Sequence, residues 1–169
     1  MARRHPATRS APGPYNAGMG LRVGDLAPDF EAASDDGRRV WLGALRGAWV
    51  VLCFLPRSGG VAEARQWERV IPDLERLGAC LLAVSGDTEA HAALLRERAG
   101  LSYPLLPDLQ RRVSRAYGVS GWLGLTRRHT FLISPEGRLA RHWRGASPLP
   151  DLLTALGDPA RSTPRPAGS

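Results

Sequence analysis

The chain is predicted to fold as an α/β sandwich, a mixed central sheet flanked by helices, with a β-hairpin extension at its N-terminal end. Three observations carry this expectation. Two apolar runs, WVVLCFL (Trp49 to Leu55) and CLLAVSG (from Cys80), lack the polar alternation of half-buried strands and read as strands covered on both faces. The first is followed by apolar residues at helical spacing and the second by a segment with helix start and stop signals. Near the end, HTFLIS and RLARHW flank Pro135-Glu136-Gly137, the pattern of an antiparallel hairpin. Strand–helix alternation closed by a hairpin makes the sheet mixed.

The elements follow in order. VWL (Val40 to Leu42), after the turn SDDGR, reads as a short strand, and Trp49 to Leu55 as the central one. Trp67, Val70, Ile71, Leu74 and Leu77 recur at helical spacing, with Pro72 expected to kink the helix and Gly78 to end it. After the second buried strand, DTEAHAALLRERAG opens on an Asp87-Thr88 cap and closes at Gly100, a helix with both its signals. YPLLPD gives a short strand, LQRRVSRAYG a helix, and Pro150 to Leu156 a last short helix after the hairpin. This is the thioredoxin-like arrangement. It places function at the carboxyl ends of the central strands, beside Pro56 and Ser85.

With 169 residues and 43% hydrophobic composition, the chain suffices for one substantial core. Residues 1–20 and 157–169 are rich in Pro, Gly, Ala, Ser and Arg without periodicity and are expected to be disordered tails around a domain of residues 21–156. Met19, directly before that domain, is a candidate natural start. The net charge is +7 and lysine is absent, so arginine supplies the whole positive side, and only one Asn, Asn16, is present. A GC-rich coding sequence explains this skew as well as selection for phosphate binding does. Neither a clustered basic patch nor an aromatic stacking platform supports nucleic-acid binding. No run approaches the roughly eighteen apolar residues of a membrane span. No secretory or twin-arginine signal follows Arg3-Arg4, so the expectation is a cytoplasmic protein. The two cysteines, Cys53 and Cys80, are too few for a disulfide scaffold and lack metal-site spacing, so no metal and no cofactor is expected.

The chain resembles the peroxiredoxins of the alkyl hydroperoxide reductase/thiol-specific antioxidant type, and among them the bacterioferritin-comigratory or Q-type branch. The resemblance rests on VGDLAPDF (Val23 to Phe30), DDGRRVWLGALRG (Asp35 to Gly47), VVLCFLP ending at Pro56 and EARQW (Glu63 to Trp67). AVSGD (Ala83 to Asp87), YPLLPD (Tyr103 to Asp108), AYGV (Ala116 to Val119) and RHTFLISPEGRL (Arg128 to Leu139) continue it in family order. The resemblance implies a thiol peroxidase whose reactive cysteine stands in a Thr-Pro-Gly-Cys-type loop at a helix head, where the helix N-terminus and an arginine favour thiolate. This chain departs there. The loop is shortened to Arg57-Ser58-Gly59-Gly60-Val61-Ala62, with neither Cys nor Thr, and Arg65 and Gln66 occupy the region of the usual resolving cysteine.

By the same resemblance, Arg128 corresponds to the site arginine. With no thiolate beside it, Arg128 is expected either to bind an anion or to pair with a carboxylate, Glu63 being favoured because the helix dipole also stabilises it there. Pro56, Ser58 and Glu63 make up the degenerate loop. Ser58 lacks a partner base for nucleophilic work, and Gly59-Gly60 lacks the rest of a phosphate-binding pattern. Cys53, inside a buried strand, reads as an inert small hydrophobe. Cys80 is the alternative thiol. With the two strands level at their ends, the cysteines stand roughly 8–11 Å apart, beyond the roughly 7 Å Cα limit of a disulfide. His91 reads as a cap-face residue, and His129 and His142 as cross-strand neighbours on the hairpin, two ligands being too few for a metal.

The leading expectation is therefore a peroxiredoxin-like redoxin domain of antioxidant oxidoreductase ancestry, catalytically silent and kept for binding. The partner would be a thioredoxin-like or other protein, or a small anionic ligand, and the state monomer or homodimer, without nucleic acid or membrane. The alternative is a divergent thiol peroxidase acting through Cys80 or an intermolecular disulfide.

Overall fold

The structure is a computed structural model that describes residues 20–56, 60–119, 128–146 and 148–158. The bulk of both terminal tails expected from composition lies outside these residues. The elements run β1 (Glu31–Ala33), β2 (Arg39–Trp41), β3 (Trp49–Leu55), α1 (Val61–Arg76), β4 (Ala79–Ser85), α2 (Glu89–Ala99), β5 (Leu105–Pro107), α3 (Arg112–Ala116), β6 (His129–Ile133), β7 (Leu139–Arg144) and α4 (Leu149–Gly157). β1 and β2 form the antiparallel N-terminal hairpin, and the main sheet has the order β5-β4-β3-β6-β7. β3 pairs in parallel with β4 and antiparallel with β6, which makes the sheet mixed as expected.

The period of two in β3 explains the layering. Val51, Cys53 and Leu55 point into a cluster with Trp67 and Leu74 of α1, Ala92 and Leu95 of α2, and Leu152 and Leu156 of α4. Val50, Leu52 and Phe54 point to the other side, against Val113 of α3, Tyr117, Phe131 and the residues leading to the hairpin. Both faces are covered, so β3 is apolar throughout.

Several boundaries differ from the sequence expectation, each for a local reason. The strand read at Val40 to Leu42 is Arg39–Trp41; Leu42 closes the hairpin by donating its N–H to Phe30 O and then enters a 3-10 turn, Leu42–Leu45, where its side chain is buried. Pro72 lies within α1, which runs on to Arg76; Gly78, with φ 70°, then turns the chain into β4. The helix expected from Leu109 to Gly118 shrinks to Arg112–Ala116. The buried Asp108 carboxylate accepts the N–H groups of Val113 and Ser114 and so fixes its start. Thr88 caps α2, accepting the N–H of His91 at 3.2 Å, and the buried Asp87 accepts the Ser85 hydroxyl. No helix among the described residues is long and apolar enough to cross a membrane.

All sixteen acidic residues fall among the described residues, matched there by sixteen arginines. The seven arginines that make up the net charge of +7 are Arg3, Arg4, Arg9, Arg57, Arg127, Arg161 and Arg165, all outside the described residues.

Candidate functional site

β3 ends at Leu55, and Pro56 carries the chain off the sheet. The chain re-enters at Gly60, the N-cap of α1, and Glu63 is the acidic residue of the first helical turn. Arg128 directly precedes His129, the residue of β6 that pairs with Phe54 near the end of β3. Strand end, helix start and arginine therefore meet. The Arg128 Nε donates to both carboxylate oxygens of Glu63, at 3.1 and 3.0 Å. The Glu63 side chain is 14% exposed and that of Arg128 51%, and the two terminal guanidinium nitrogens have no hydrogen-bond partner among the described residues. The carboxylate gains from the arginine and from the positive end of α1 together. The Arg128–Glu63 pairing favoured from sequence is formed. Ser58, with Arg57 and Gly59, lies outside the described residues.

Neither thiol reaches this helix start. Cys53 is buried in mid-β3, and burial, reinforced by the Glu63 charge, pushes its thiol pKa up. Cys80 is the second residue of β4, at the opposite end of the sheet from Pro56; it is half-buried, its S–H directed at Trp49 O at 3.6 Å, and burial pushes its pKa up too. Val50 pairs with Cys80 and Cys53 with Ala83, an offset of three residues. An odd offset also turns the two side chains to opposite faces, Cys53 in one core cluster and Cys80 against the other. Both thiols are free.

Tyr103, which the sequence reading passed over, props the site from below. It is buried, and its hydroxyl donates to Ala64 O in the first turn of α1 at 3.0 Å. Burial raises its pKa, so it remains a donor. One turn along, the Glu68 carboxylate accepts the N–H and hydroxyl of Ser102 at 2.8 and 2.7 Å. The only sequence signal was an aromatic residue between a helix end and a strand, too common to single out.

The hairpin histidines do meet. His129 Nδ1 lies 2.8 Å from His142 Nε2, and His142 stacks on Phe131 with ring centroids 4.1 Å apart. Desolvation, then the neighbouring His129 and Arg144, lowers the His142 pKa to about 4. Among the described residues no three His, Cys, Asp or Glu side chains converge as metal ligands.

A thioredoxin-like sheet whose central strand delivers its end to a helix start, with an arginine from the adjoining antiparallel strand beside it, defines the redoxin class. The family model described as AhpC/TSA matches residues 23–142, and the chain belongs to this family. Its relatives place it in the Bcp/PrxQ branch. It is 31% identical over 137 residues to peroxiredoxin Bcp of Bacillus subtilis, covering 75% of this chain and 87% of that protein. It is 29% identical over 129 residues to peroxiredoxin Bcp of Escherichia coli, covering 70% and 83%. Among solved structures, the bacterioferritin comigratory protein of Xanthomonas campestris, studied for alkyl peroxide reduction, superposes with a TM-score of 0.73 at 26% identity, covering 83% of this chain and 98% of that one. PrxQ of Xylella fastidiosa gives 0.77 at 22% identity, covering 85% and 99%, a likeness of fold.

Proposed function

We propose that this chain is a peroxiredoxin-family domain in which the thiol-peroxidase centre has been lost and the mouth formed by Pro56, Glu63 and Arg128 is kept for binding a protein partner or a small anionic ligand. One observation carries the reading: the head of α1 holds a carboxylate on the site arginine, while both thiols sit inside strands with raised pKa values. A peroxidatic thiol must be a thiolate within reach of peroxide. Burial opposes both conditions at Cys53. Half-buried Cys80 stands near the end of α1 rather than at a helix start, and no arginine charge acts on it among the described residues. The reading includes a cytoplasmic location, in a monomer or homodimer, with a thioredoxin-like protein among the partner classes.

The comparisons favour a second reading, because the relatives are named peroxiredoxins. On it the chain is a divergent thiol peroxidase that reduces hydroperoxides through Cys80 or an intermolecular disulfide. Peroxide consumption by the purified chain, with thioredoxin or dithiothreitol as reductant, separates the two. The first reading expects a rate no higher than free cysteine at equal concentration. A much higher rate that Cys80→Ser abolishes establishes the second.

A further inference from the structure

The carboxyl edge of the main sheet carries more than the Arg128 mouth. β3, β4 and β5 run parallel, so their ends lie along one edge of the molecule. In open α/β sheets ligands sit in crevices outside such ends. Beyond β4 and β5 this edge opens into a cleft of about 430 Å³, walled on its other side by the hairpin strand β1. The volume falls in the range of small-molecule sites.

The chemistry of its walls is mixed in a particular way. Leu109, largely exposed, and Pro107, lying over the buried Leu106 and Val113, supply the apolar surface. Most of its charged groups are already committed. Arg39 donates to Glu31 at 2.6 Å, and the Asp108 carboxylate is held by Ser114 and two backbone N–H groups. Three polar side chains in the lining have no partner among the described residues: Glu89 at the start of α2, and Gln110 and Arg112 at the start of α3. One uncommitted carboxylate, one uncommitted guanidinium with an amide beside it, and an apolar surface therefore face a single space.

We propose that this cleft binds a zwitterionic amino compound with an apolar side chain, an amino acid or a short peptide with free termini. Arg112 and Gln110 take its carboxylate, Glu89 its ammonium group, and Pro107 and Leu109 its side chain. The site is separate from the Arg128 mouth and does not depend on how that mouth functions.

Saturation-transfer NMR on the full chain with leucine and with dileucine tests this. The expected result is binding of one or both with a dissociation constant on the order of 1 mM, as suits a ligand of this size. Which of the two binds more tightly distinguishes an amino acid from a peptide. N-acetylation or C-terminal amidation of the bound compound should each weaken it about threefold, the scale of an exposed charge pair. Glu89→Gln should erase the effect of N-acetylation, and Arg112→Gln that of amidation; both residues are exposed, so the fold is retained. No saturation transfer at 10-fold the expected concentration (on the order of 10 mM) overturns the proposal. Equal binding of the free and doubly blocked dipeptide overturns it as well.

Discussion

Arg96 and Arg128 each face a carboxylate in this fold, and their surroundings differ in every respect that fixes a side chain. Arg96 grips Asp35 with Nε and Nη2, and its Nη1 and Nη2 also donate to Leu101 O and Tyr103 O, both at 2.9 Å. Asp35 has no exposed side-chain area and accepts the N–H of Leu105 besides. That knot ties the hairpin turn to the end of α2 and the start of β5. Arg128 uses only Nε, on a carboxylate from one neighbouring helix, and stays half exposed. A charge removed from water needs its full set of partners, whereas one left at the surface can stay under-committed and free to re-pair. Asp35–Arg96 is fully satisfied, whereas Glu63–Arg128 leaves two guanidinium nitrogens without a partner among the described residues.

The sharpest break of this contrast is Asp35→Ala, which strands the partly buried Arg96 and the Leu105 N–H. It should lower unfolding stability by about 3 kcal/mol, read as a reduced urea midpoint. A loss no larger than that of the Arg128 variants would erase the distinction between the pairs.

Acid should act on the Arg128 side of the sheet, through His142 on the strand beside His129. Its folded pKa of about 4 lies below the ordinary 6.5, so between these values the unfolded chain binds the proton and the folded chain resists it. Stability contributed by the neutral ring is complete above pH 6.5 and declines as pH falls toward 4. Discounted for its part-exposed ring, the loss is on the order of 1 kcal/mol. His142→Phe should flatten this part of a stability-against-pH profile.

Tyr103 links the two regions, its carbonyl on Arg96 and its hydroxyl on the first turn of α1. Tyr103→Phe keeps the first contact and deletes the second, and should cost about 1 kcal/mol. Hydrogen exchange should quicken at the start of α1 while β5 stays protected.

The smallest effects belong to the site pair. Arg128→Met and Glu63→Gln should each destabilise by less than about 1 kcal/mol, with measurable non-additivity in a double-mutant cycle. Strict additivity would mean that the observed contact carries no energy and that Arg128 is available to a ligand outright.

The sequence was sufficient for the layers. WVVLCFL has no face that tolerates water, so it had to be central, and Thr88 and Gly100 bracket α2 by local chemistry alone. The Glu63–Arg128 contact was also legible, because the family-ordered motifs put a helix start opposite the strand that follows Arg128. What stayed hidden depends on residues distant in sequence. Asp35 and Arg96 are 61 positions apart and Tyr103 and Ala64 39, and nothing in either local pattern marks one as the other's partner. The start of α3 was misjudged for a related reason: Asp108 was read as the end of the YPLLPD strand, but in the fold its buried carboxylate accepts the Val113 and Ser114 N–H groups and so marks where the helix begins. Periodicity and capping are local and can be read along the chain. The satisfaction of buried polar groups, and the cleft lined by β1 and the segments that follow β4 and β5, exist only once the sheet has brought those segments together.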